Sequence, residues 1–120
     1  MRVLRAANQR GSVLGNRIAV ADRWWLRLKG LLGRSKLGPG EGLLLRPCRA
    51  VHMMGMRFPL DIAFLDPDGT VVATYPNLGP GGRTGWHQRA DGALELPAGT
   101  LAASGTGEGD QIVCTEESHP

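Results

Sequence analysis

From Cys48 to Asp66 the chain reads C-R-A-V-H-M-M-G-M-R-F-P-L-D-I-A-F-L-D, mixing thiol, imidazole, thioethers, guanidinium groups and carboxylates in one short span. Three kinds of chemistry are open to such a set. His52, Met53, Met54 and Met56, with Cys48 upstream, are soft donors of the kind that suits Cu(I). On an extended chain Met54 and Met56 share a face while Met53 points away, and methionine is ordinary core filler, so no metal or other cofactor is assigned. The second possibility is a carboxylate pair, Asp61 with Glu95, doing general acid and base work if their strands are neighbours. His52 or His87 would join them as a base. In the third, the planar fork of Arg57 fixes an anionic ligand. The catalytic candidates are therefore Asp61, Glu95 and His52, and the ligand-binding candidates are Met54, Met56, Arg57, Asp61, Glu95 and His87. A plainer alternative is a structural ion pair of Arg57 with Asp61 or Glu95, because a buried carboxylate needs a partner.

The elements that must position these groups read mostly as strands. Leu60, Ile62 and Phe64 fall on one face at a two-residue period, with Asp61, Ala63 and Leu65 on the other. This strand is expected over 56–66, with Pro59 near its start, and Pro67, Asp68 and Gly69 turn it into a second strand over 70–75. Further strands are expected at 2–8, 12–20, 43–45, 93–96 and 111–115, with a single helical turn over 100–104. Leu94 and Leu96 point inward and Glu95 takes the alternate face. Residues 76–92, with five glycines and two prolines, form the one long loop. An amphipathic helix is expected over about 22–33. Asp22 is its N-cap, and Trp24, Trp25, Leu28, Leu31 and Leu32 form its apolar arc. Core packing accounts for both tryptophans.

A chain of 120 residues with 18 glycines and 8 prolines describes one turn-rich domain, residues 1–120. Its fold class is mostly β, leaning to α+β: a compact β-barrel or sandwich with one helix. Two scattered cysteines, Cys48 and Cys114, do not make a disulfide framework and read as reduced thiols. The first 21 residues lack the apolar core of a signal peptide and nothing resembles a spanning helix, so a soluble cytoplasmic protein is expected. Charge is divided by halves, +10 over residues 1–60 and −7 over 61–120. Interleaved strands would make those charges neighbours. The basic residues are spread out and no aromatic-interleaved basic cluster stands out, which on sequence grounds argues against nucleic acid as the partner. There is no G-x-S-x-G, no H-E-x-x-H and no pair of C-x-x-C motifs, and G-P-G-G at 79–82 is not a P-loop.

Taken in order, several strings resemble one family. They are M-R-F-P-L-D-I-A-F-L-D-P-D-G-T-V-V at 56–72, L-E-L-P-A-G at 94–99, G-D at 109–110, G-L-L-G-R at 30–34 and G-E-G-L-L-L at 40–45. Together they are similar to domain-of-unknown-function family 192, a bacterial and archaeal family. The resemblance covers nearly the whole chain and implies a compact, mostly β fold of barrel or sandwich type with one helix packed across it. Met56, Arg57, Pro59, Asp61, Asp66, Gly69, Glu95, Pro97, Gly99, Gly109 and Asp110 match the family's recurrent positions. The chain departs where many members carry a longer M-K-N-T segment, and where an aromatic precedes the methionine this chain has Met54 and Gly55. The resemblance brings no activity with it.

The functional expectation is a non-enzymatic module binding a small ligand or a protein partner where the 52–61 segment, Glu95 and the 76–92 loop converge. The alternatives are a small hydrolase-like enzyme using Asp61, Glu95 and a histidine, and nucleic-acid or membrane-surface association through the basic first half.

Overall fold

The computed structural model describes residues 2–21 and 35–116. Seven strands build one curled sheet: β1 (Val3–Asn8), β2 (Val13–Ala21), β3 (Glu41–Leu45), β4 (Leu60–Leu65), β5 (Val71–Leu78), β6 (Gly92–Pro97) and β7 (Ile112–Glu116). Their order is β5-β4-β6-β3-β2-β1-β7. Every neighbouring pair is antiparallel except β2 with β3. One short helix, α1 (Thr100–Ser104), follows β6. The fold is thus mostly β, a half-barrel, as the alternating strand pattern implies.

The sheet curls until its two outer strands meet at one end. Thr70 bridges Gln111, the Val71 amide donates to the Asp110 carbonyl, and the Ile112 amide donates to the Gly69 carbonyl, the last two at 2.8 Å. Gly69 is required at this seam twice over. Its φ is +85°, and a side-chain carbon there would lie 2.6 Å from the Ile112 carbonyl oxygen.

A sheet that buries both faces needs two cores. The concave side holds Leu4, Ile18, Leu44, Ala63, Leu94, Leu96 and Ile112. The convex side holds Leu43, Met53, Met56, Phe58, Ile62 and Phe64. All six residues of β4 are buried, which explains its almost uninterrupted apolar run. Each fully buried large apolar side chain contributes about 1.5–3 kcal/mol of transfer free energy.

The largest differences from the sequence reading lie at two boundaries. The strand expected from residue 56 begins at Leu60, because Pro59 cannot donate to a ladder and Met56–Phe58 fold over the convex core. The return strand runs on to Leu78, shortening the long loop. The helix expected over 22–33 lies outside the described residues. Cys48 and Cys114 pack against different cores and no disulfide joins them.

Candidate functional site

The register of β4 and β6 decides what the two candidate carboxylates can do together. Ile62 pairs with Glu95, and Asp61 pairs with Leu96. Directly paired residues point to the same side and successive residues to opposite sides. Asp61 therefore faces the concave core, and Glu95 faces the convex one beside Ile62 and Leu43. Both are buried, at 1% and 0% exposure, and a sheet separates them. A shared-proton dyad is not available to them. The spacing argument missed this because strand adjacency was inferred without register, and one residue of offset exchanges the faces.

Asp61 is committed to the main chain. One carboxylate oxygen accepts from the Asn77 amide at 2.8 Å, and the other accepts from the Gly99 and Leu101 amides at 3.1 and 2.9 Å. Asn77 and Gly99 both have positive φ, 52° and 96°, so the carboxylate pins two left-handed turns at once. Gly99 is the N-cap of α1 and has no side chain to cap with, so Asp61 supplies that function from another strand. Its partners are thus backbone donors. Arg57 is exposed, and among the described residues it forms no ion pair with either acid.

On the convex side two irregular segments are laced together. The Met53 amide donates to the Gly82 carbonyl at 2.7 Å, the Thr84 amide to the Val51 carbonyl at 2.9 Å and the His87 amide to the Arg49 carbonyl at 2.9 Å. His52 and Arg83 form a bridge within this ladder. Alternation does the rest. Val51 and Met53 turn into the core, while His52 and Met54 turn to solvent. The roof so formed spans 48–58 and 79–91.

Beneath its edge sits a polar cluster. The Gly85 amide donates to Tyr75 Oη at 3.0 Å, and Tyr75 Oη lies 2.7 Å from His87 Nε2. The phenol oxygen thus ties the loop amide to the imidazole ring. The His87 ring packs on Phe64 at 4.6 Å between centroids, and Tyr75 meets Phe64 edge-on at 5.9 Å.

The remaining candidates are spread across this roof. Met56 is buried in the convex core, Met54 is 75% exposed at the roof's turn, and His52 and Arg57 are exposed. His87 is half-buried on Phe64. Two residues that the sequence reading passed over belong here as well. Tyr75 is the sole tyrosine, at the solvent end of β5, and Trp86 is 68% exposed, its indole N–H donating to Gln88 Oε1 at 3.1 Å. The signal for Trp86 was an aromatic in a glycine-rich loop with no apolar periodicity around it.

A separate cleft of about 200 Å³ opens at one mouth of the half-barrel, lined by Asp66, Asp91, Arg46 and Cys114 among others. Burial pushes the Cys114 thiol up from its ordinary value, against a smaller opposing pull from Arg46. That makes it a poor nucleophile. Among the described residues no cluster of three or more His, Cys, Asp or Glu could hold a metal, and no helix is long and apolar enough to cross a membrane.

A single curled seven-stranded sheet makes this a small half-barrel β domain. The DUF192 family (uncharacterized ACR) matches residues 5–114, so the chain belongs to that family. Two crystal structures are similar, each at 25% identity and a TM-score of 0.77. One, from Sinorhizobium meliloti, is described as a "putative transcription regulator"; the match covers 94% of this chain and 92% of that one. The other, a protein of unknown function from Novosphingobium aromaticivorans, is matched over 92% of this chain and 83% of its own. No curated protein matches.

Proposed function

We propose that this protein is a non-catalytic binding domain for a small ligand or a macromolecular partner, with the laced roof as its contact surface. The carrying observation is the division of labour across the sheet. The carboxylate best placed for chemistry by its sequence context, Asp61, is consumed by three main-chain amides and is screened from Glu95 by the sheet. On the roof, by contrast, Trp86 and Met54 are large apolar side chains held out in solvent on hydrogen-bonded backbone. An exposed tryptophan on ordered backbone is the residue type most enriched among the anchors of contact surfaces. The description of the Sinorhizobium neighbour as a "putative transcription regulator" is also a binding role.

A thermal-shift screen against a metabolite pool tests the reading. The expected result is stabilisation by some component without its turnover, abolished by Trp86→Ala. The hydrolase-like alternative makes the opposite forecast: Asp61→Asn would abolish a measurable reaction while leaving the melting temperature near wild type. A large drop in melting temperature instead marks the carboxylate as structural.

A further inference from the structure

We infer that the roof takes a single strand of nucleic acid, its phosphates held by Arg49, Arg57, Arg83 and Arg89 and one base stacked on Trp86. This rests on the roof being the contact surface. Of the two segments that build the roof, 48–58 contains no Asp or Glu and 79–91 contains one, Asp91 at its far end, which lies 3.9 Å from Arg46; both segments carry arginines and a histidine. In the linear chain these stretches are far apart and read as scattered charge. The ladder from Arg49 to Gly82 lays them side by side. All four arginines are exposed, and among the described residues none is within ion-pair distance of an acid.

The chemistry of the groups selects the partner. Every cation here is a guanidinium, whose fork fits phosphate oxygens in two directions. An exposed indole offers a stacking surface, which requires a base that is not already paired. Backbone order favours the same partner, because the Trp86 loop is tied down through Gly85 to Tyr75 and through His87 to Arg49, so little ordering remains to be done on binding. A membrane surface fits less well. Met54 and Trp86 lie at opposite ends of the ladder, roughly 15 Å apart at strand rise, with His52 and Arg83 between them, so they make no continuous apolar patch.

Fluorescence anisotropy with labelled oligo-dT and oligo-rU of about twenty nucleotides tests this on the whole chain. Binding is expected to weaken about 50-fold between roughly 50 and 200 mM salt, the fall for four phosphates neutralised on a single strand. Arg83→Ala should lower the slope of log affinity against log salt by about 0.7. Trp86→Ala should weaken binding about tenfold and leave that slope unchanged, since stacking releases no counterions. Arg5→Ala, on the exposed side of β1 away from the roof, should change neither. Absence of binding at about 50 mM salt overturns the inference, as does equal loss from Arg5→Ala and Arg83→Ala, which would mean bulk charge alone. Trp86-dependent binding to phosphatidylserine vesicles with none to oligonucleotide also overturns it, in favour of a lipid surface. If oligonucleotide fails but a metabolite shift persists and is lost in Trp86→Ala, the partner class falls and the binding surface stands. If neither appears, both fall.

Discussion

The two faces of the sheet hold their polar side chains by different means, one fully buried and one half-buried. On the concave face Asp61 is served only by backbone amides of β5's end and of α1's first turn. On the convex face His87 is served by another side chain, Tyr75, which is itself held by a loop amide. A carboxylate that is 1% exposed and holds three amides is out of a visitor's reach. The Tyr75–His87 pair lies at the margin of the roof, next to an exposed indole that a visitor can reach. The comparison locates rigidity inside the half-barrel and places contact with other molecules on the roof.

The first way to break that comparison is to remove the carboxylate. Asp61→Ala strands the buried Leu101 amide, the part-buried amides of Asn77 and Gly99 and two left-handed turns, and should cost about 3 kcal/mol in urea denaturation. A loss under about 1 kcal/mol would mean the concave face is not where the fold is secured. Tyr75→Phe sharpens the other side. It removes the hydroxyl shared by Gly85 and His87 and should cost about 1–2 kcal/mol, with the His87 ring resonances moving in NMR spectra while those of the concave core stay put.

A smaller effect belongs to the barrel seam. Hydrogen bonds from Arg10, then from Gln9 and the Gly107 amide, hold the Asp110 carboxyl well below the usual carboxylate range. A depressed pKa gives a contribution that is full above about pH 4 and disappears as pH falls through the lowered value. The melting-temperature gap between wild type and Arg10→Ala should therefore be constant from neutral pH to about pH 4 and close below it. The smallest change in stability is expected from Trp86→Ala, within about 0.5 kcal/mol of wild type, because the side chain is mostly in solvent. A large destabilisation there would make Trp86 a structural residue and remove the main support for the roof as a contact surface.

Much of the scaffold was legible along the chain. The hairpin of β4 and β5 follows from P-D-G between alternating runs, and the inward set of β6 follows from Leu94 and Leu96. The turn over 100–104 appears as a one-turn helix between two glycines. The site was legible only in fragments. Met54, Arg57 and His87 were singled out by type, but nothing local could show that 49–53 would lie beside 82–87. Glu95 and Asp61 were matched by type and approximate distance, and then parted by register.

Residue type and period, properties of the chain itself, determined that there would be strands, where they would turn and which side chains of each would share a face. Those are short-range consequences of backbone sterics and the alternation of Cβ directions. The tertiary structure decided which faces became which core, who caps α1 and which loops are neighbours. These depend on pairings between residues distant in the chain, and a shift of one position in any of them would have exchanged the inside of the sheet for the outside.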